Sequence, residues 1–122
     1  MVLSDSSLER TGAPYFIPPA DKSASLEDVQ QLLRAIAAHQ LAVTDEQAAR
    51  LAHYCRLLWD WNSRLNLTRH TDWDLFVTRH LLDTMELSRH VPKDSTVMDV
   101  GSGGGVPGIV LAILRPDLKI AL

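Results

Sequence analysis

The stretch "MDVGSGGGVPG", residues 98–108, decides how the rest of this chain is read. Met98 and Val100 flank Asp99, and four glycines then stand within positions 101–105. The run "STVMDV" (95–100) is rich in β-branched residues and reads as a strand. Beyond the glycines, Pro107 stands where a first-turn proline is tolerated, and "GIVLAILR" (108–115) reads as a buried helix ending before Pro116. "LKIAL" (118–122) begins a second strand. Strand, helix and strand in this order imply parallel pairing with a right-handed crossover. A plain turn from strand to helix needs one or two glycines, because each one costs chain entropy. Four of them point instead to main chain that must approach a ligand closely, with amides free at the start of the helix.

Working back from the turn, the grammar is helical. Ser25 followed by Asp28 resembles a capping box, and Leu26, Val29, Leu32, Leu33 and Ile36 repeat at helical spacing. Thr44 and Gln47 form a second box. It opens a long helix over 45–65, with Leu51, Tyr54, Cys55, Leu58 and Trp61 on its apolar stripe. Core burial is the expectation for Trp61. After the turn "NLTRHTD" a third helix runs from about Trp73 to His90, and Pro92 stops it. Residues 1–24 hold three prolines, scattered serines and no sustained period, which reads as a flexible arm. Within that arm, Tyr15, Phe16 and Ile17 before Pro18 form an apolar cluster that could dock elsewhere. The expected organisation is an arm (1–24), a helical region (25–91) and the start of an α/β domain (92–122).

Composition narrows the function. The chain has 122 residues, 46% of them hydrophobic and 22% charged, with a net charge of -3. This excludes binding to polyanions through bulk charge and leaves only local basic patches. The single cysteine, Cys55, forms no internal disulfide and reads as a small buried apolar group in a reducing compartment. No apolar run approaches the ~20 residues that span a bilayer, and the N-terminus lacks the apolar core of a signal peptide. The expected location is cytoplasmic. His39, His53, His70 and His90 form no metal-ligand grouping with cysteine or carboxylate, so no metal is expected.

Gly101, Gly103 and Gly105 are spaced G-x-G-x-G, and Val106 stands where a dinucleotide fingerprint requires its last glycine. The dinucleotide pattern therefore fails. An aspartate at the strand end followed by G-x-G-x-G resembles the S-adenosylmethionine loop of class I methyltransferases. Three blocks together, "WNSRLNLT" (61–68), "TRHLLDTMEL" (78–87) and "DVGSGGGVPGIVLAILRPD" (99–117), resemble the glucose-inhibited division protein B family of small-subunit ribosomal RNA methyltransferases. The likeness runs from about residue 25 to 122. It departs at Val106, where phenylalanine is usual, and at Thr84, where serine is usual.

The resemblance implies an α/β fold, the class I Rossmann-like S-adenosylmethionine-dependent methyltransferase fold, incomplete here and preceded by an N-terminal helical segment. It implies methyl transfer to N7 of a guanine in 16S ribosomal RNA, as free RNA or in the small ribosomal subunit. Asn66, His80 and Asp83 match the family's polar motif positions and are the candidate catalytic residues. Asp99, Gly101, Ser102, Gly103, Gly105, Val106 and Pro107 are the candidate cofactor-binding residues, with Asp99 a partner for the methionine ammonium. Guanine N7 already carries an in-plane lone pair, so no general base is demanded, and alignment and electrostatics suffice.

Plainer readings stand beside these. His80 could be a packing histidine and Asn66 a turn residue. Arg79 and Asp83 are four apart, near enough on a helix for an ion pair. Trp59, Trp61 and Trp73 could stack on bases, and Arg56, Arg64, Arg69, Arg79 and Arg89 could face phosphates or solvent. A non-catalytic RNA-binding or assembly module and a class I methyltransferase with another substrate both remain open. Because the family's ribose- and adenine-binding segments follow the second strand, the expectation is an amino-terminal half that is inactive alone. Two parallel strands leave open sheet edges, through which such a piece is expected to self-associate.

Overall fold

The computed structural model describes residues 24–100 and 103–122. The proposed arm before Ala24, with Tyr15, Phe16 and Ile17, lies outside the described residues, as do Gly101 and Ser102.

Two capping boxes start the first two helices. In α1 (Leu26–Ala38) the Asp28 amide donates to the Ser25 hydroxyl, and the Ser25 amide returns a bond to the Asp28 carboxylate. In α2 (Asp45–Leu65) Thr44 and Gln47 do the same. Each box satisfies amides that a helix start would otherwise leave without partners. Burial on α1 begins one turn in, at Leu32 and Ile36, while Leu26 stays 75% exposed. On α2 the buried stripe is Ala48, Leu51, Ala52, Tyr54, Cys55 and Leu58. It ends there. Trp61, one turn later, is half-buried beside the Arg64 guanidinium rather than in the core, because the last turns of α2 run past the packed layer.

The third helix is interrupted as no periodicity shows. It comprises α3 (Trp73–Phe76), a π-helical turn (Val77–Leu81) and α4 (Leu82–Ser88). Asp72 caps its start by accepting the Leu75 amide. In the π turn the Leu82 amide reaches back five residues to the Val77 carbonyl. Phe76, Val77, Leu81 and Thr84 are buried.

Strand β1 (Thr96–Met98) pairs in parallel with β2 (Lys119–Ala121), Val97 opposite Ile120, and α5 (Gly108–Leu114) makes the crossover. The parallel pairing matches the reading of residues 95–122. Among the described residues the sheet has these two strands, so each keeps an unpaired edge. Leu32, Leu51, Phe76, Leu81 and Val110 lie in one buried cluster, so the helical region and the crossover helix share a single core. Arg115 fastens the far end. It donates to the Ser88 and Val91 carbonyls at 2.7 and 3.2 Å, while its Nε and Nη2 fork onto Asp117 at 2.7 Å each.

Candidate functional site

A cleft of about 540 Å³ opens between the glycine turn and the π-turn helix. That size suits a small-molecule ligand, for which a few hundred to a thousand Å³ is usual. Leu58, Leu67 and Leu87 give it apolar walls, and Gly103, Gly104, Val106 and Pro107 form the wall opposite the helix. Thr68, Arg79, His80, Asp83 and Thr84 bring polar groups to it. His80 and Asp83 therefore share one face toward the glycine turn. The Arg79–Asp83 ion pair that their spacing would allow is not among the ion pairs of the described residues. The π turn adds a residue to the helical repeat there, so positions four apart no longer stack.

The turn itself is built on unusual backbone. Gly105 is buried at φ +92°, and a Cβ there would stand 2.9 Å from Ile109 Cγ1. Gly103 is exposed at φ +55°, with open space where a Cβ would lie. The Val106–Pro107 bond is cis. Asp99 does not line the cleft. Its carboxylate accepts the Gly108 amide at 3.0 Å and so holds the first residue of α5. Asn66 is exposed and does not line the cleft either; it closes α2 in the left-handed conformation, φ 50° and ψ 50°. That reversal sends Leu67 and Thr68 into the cleft wall.

Residues 47–122 match the family model described as GidB, rRNA small subunit methyltransferase G. The chain belongs to the GidB family. Every residue lining the cleft falls inside the stretch matched by that GidB model. The chain is 54% identical over 72 residues to the ribosomal RNA small subunit methyltransferase G of Rhodopirellula baltica, covering 59% of this chain and 31% of the relative. With the methyltransferase G of Burkholderia lata it shares 42% identity over 106 residues, 85% of this chain and 46% of the relative. The Neisseria meningitidis serogroup C protein of the same name is 41% identical over 97 residues, 80% of this chain and 47% of the relative. The chain thus spans less than half the length of these GidB relatives. No solved structure matches it.

Three features of this GidB-family cleft carry no signature in the sequence. Tyr54, expected only as a core residue, donates its hydroxyl to the Gly104 carbonyl at 2.8 Å and so ties α2 to the glycine turn. Burial pushes the Tyr54 phenol well above its ordinary range, so it is a permanent donor. Thr84 donates to the His80 carbonyl at 2.8 Å. His70 Nδ1 lies 3.0 Å from His80 Nε2, the two rings tilted at 65°. Burial lowers the His80 pKa and His70 adds to that, while Asp83 opposes both. The only hint of these contacts was the phase of α2, which turns Tyr54 inward.

The arginines and tryptophans also sort themselves. Arg56 bonds Asp28 and lies 5.8 and 5.9 Å from the Trp59 and Trp73 rings, and those two tryptophans pack edge to face. Arg89 pairs with Glu86. Of the five arginines considered for phosphate contact, Arg79 lines the cleft. Among the described residues no group of three or more histidine, cysteine or carboxylate side chains could hold a metal ion. No helix there is long and apolar enough to cross a membrane.

Proposed function

We propose that the protein methylates N7 of a guanine in 16S ribosomal RNA, with S-adenosylmethionine as the donor, on a class I methyltransferase fold. One observation carries the reading. In a chain similar to proteins named ribosomal RNA small subunit methyltransferase G, the glycine turn and the motif residues His80 and Asp83 face each other across one cleft.

The residues present fit such a cofactor. Bare main chain at Gly103 and Gly104, apolar walls at Leu58 and Leu67, and a carboxylate at Asp83 suit a nucleoside bearing a cationic methionine arm. Val106 and Pro107 complete that wall, Gly105 gives the turn its left-handed bend, and Gly101 and Ser102 are assigned to the cofactor by the motif alone. Asp99 serves the site by holding the start of α5 rather than by touching the cleft. When bound, S-adenosylmethionine supplies an electrophilic methyl group on a sulfonium. The work of the chain is alignment. His80 and Asp83 hold the base edge against the glycine turn, and the Asp83 carboxylate favours the positive charge that passes to the guanine ring. No proton has to leave N7, so no side chain is needed as a base. Asn66 contributes by directing Leu67 and Thr68 into the wall.

The test is transfer of tritiated methyl from S-adenosylmethionine to small-subunit RNA by the purified protein, with the RNA then digested to nucleosides. The expected product is labelled 7-methylguanosine. Label in another nucleoside would overturn the assignment to N7. RNA retention on a filter that S-adenosylmethionine does not alter, with no binding of S-adenosylmethionine by the protein, would favour a non-catalytic binding module.

A further inference from the structure

We propose that His70, which does not line the cleft, is a positioning residue for it: one proton shared between the two imidazoles holds His80 neutral and in a single orientation. The proposal rests on the cleft being the methyl-transfer site and assigns that site a residue from outside its wall.

Geometry leads the argument. At 3.0 Å between His70 Nδ1 and His80 Nε2 there is room for one hydrogen. One ring donates and the other accepts, which fixes the tautomer of both. Two N–H groups facing each other would break the contact, so the pair cannot take up a second proton at this position.

Both rings are mounted on pinned main chain. The His70 amide donates to the Thr68 hydroxyl at 3.0 Å, and its carbonyl accepts the Trp59 indole N–H at 3.1 Å. The Thr68 amide is itself held by the Asn62 side chain at 2.8 Å. Two residues of α2 therefore set where His70 stands. His80 rides on the π turn, and its carbonyl accepts the hydroxyl of buried Thr84.

Among the described residues, the charged and titratable groups on the cleft or against His80 are few. His70 comes from the loop before α3, and Arg79 and Asp83 come from the helix that bears His80. The glycine turn and α2 contribute Gly103, Gly104, Val106, Pro107 and Leu58 to the cleft, none of which titrates. Burial and His70 both lower the His80 pKa, against the pull of Asp83. A neutral imidazole serves the proposed reaction, because a cation there would repel the sulfonium of the donor and the charge developing on the guanine ring.

The experiment is a pH titration of the His80 ring by nuclear magnetic resonance in the wild type, His70→Leu and His70→Asn. Asparagine places an amide nitrogen close to the position of Nδ1. The wild type is expected to show one His80 tautomer, titrating below the usual histidine value. In His70→Leu the midpoint moves up and both tautomers appear; His70→Asn restores the wild-type pattern. Calorimetry with S-adenosylmethionine at pH 6 and pH 8 supplies a second readout, with His70→Leu losing several-fold more affinity than the wild type at the lower pH. Independent titration of the two rings in the wild type would overturn the proposal without any variant. An unchanged His80 midpoint in a folded His70→Leu protein would overturn it as well. If the midpoint moves as expected but the wild type binds no S-adenosylmethionine at either pH, the pairing is upheld and the methyltransferase reading is what falls.

Discussion

Replacing Gly105 by alanine tests whether the turn after β1 needs glycine where the backbone is left-handed. Gly105 has φ +92°, where an L residue is strained by roughly 1–3 kcal/mol. The new Cβ would also press on the Ile109 side chain, 2.9 Å from its Cγ1, and turning that side chain off its rotamer costs about 0.5–1.5 kcal/mol. The reduced entropy of the unfolded chain returns about 0.4–1 kcal/mol. The net loss is about 0.5–4 kcal/mol. With a urea dependence of ~1.5 kcal/mol per molar, the unfolding midpoint falls by about 0.3–2.7 M. Urea titration followed by tryptophan fluorescence reads this directly. Adding Ile109→Val, which removes the Cδ1 methyl that the new Cβ meets first but keeps Cγ1, should recover part of the crowding share, up to about 1 kcal/mol, as a coupling energy. Gly104→Ala is the control: its Cβ would come closest to the flexible end of Leu58, at 3.0 Å, with Leu67 at ordinary contact distance, and Gly104 is not among the glycines of positive φ. If Gly105→Ala unfolds within about 0.5 kcal/mol of the wild type, the surface-substitution range, the argument from the dihedral is wrong. Complete rescue by Ile109→Val would leave only the steric part standing.

Tyr54→Phe removes the bond to the Gly104 carbonyl and should cost about 1 kcal/mol, with faster hydrogen exchange in the 103–106 amides; unchanged exchange there would show that the bond does not hold the turn. Cys55→Ser puts a hydroxyl where no water reaches and is expected to lose about 1–3 kcal/mol in thermal unfolding, while a thiol reagent should label the native protein no faster than it unfolds. Acid should also destabilise the fold. Burial pushes the Asp28 carboxyl up, but hydrogen bonds with Arg56 and Ser25 outweigh it and leave the pKa below the ordinary 3.8. The Arg115 fork lowers Asp117 further, in the same direction. Because both folded values are depressed, the stability they add is complete above the unfolded value and lost as pH falls through the folded ones. Tryptophan fluorescence should therefore report the carboxylate-driven weakening below about pH 4. It lies beneath a shallower loss that begins near the ordinary histidine value of 6.5, where the unfolded chain takes up a proton that His80 in the fold resists. Arg56→Gln should flatten the acid onset, and a flat profile down to pH 2 would contradict this.

Much of this architecture could be read from local chemistry. Ser25 with Asp28 and Thr44 with Gln47 announce helix starts because both halves of each box lie within four residues. The strand, glycine turn and crossover were legible because parallel pairing follows from their order, and the spacing that excludes a dinucleotide loop is itself local. The misses were long-range. Trp61 kept the period of the α2 stripe, yet nothing in its neighbours says that the helix outruns its packing partners. The π turn has no propensity signal, and with it went the expected contact between Arg79 and Asp83. Tyr54 with Gly104, and His70 with His80, meet only once three helices and a turn have been folded together. His80 and Asp83 lie on the cleft wall, as their spacing toward the glycine turn suggests, whereas Asp99 and Asn66 lie in the chain beside it.

The buried cluster that joins Leu32 to Val110, closed off by the Arg115 clamp on Ser88 and Val91, limits how this architecture can be rearranged. The leading helices are not a detachable accessory that could be grafted onto another sheet. A transplanted unit would leave Val110 facing water and the Arg115 Nη1 group without the two carbonyls it clasps. A change of shape on the lead-in helices therefore calls for a matching change on the crossover, because the two halves fill one core.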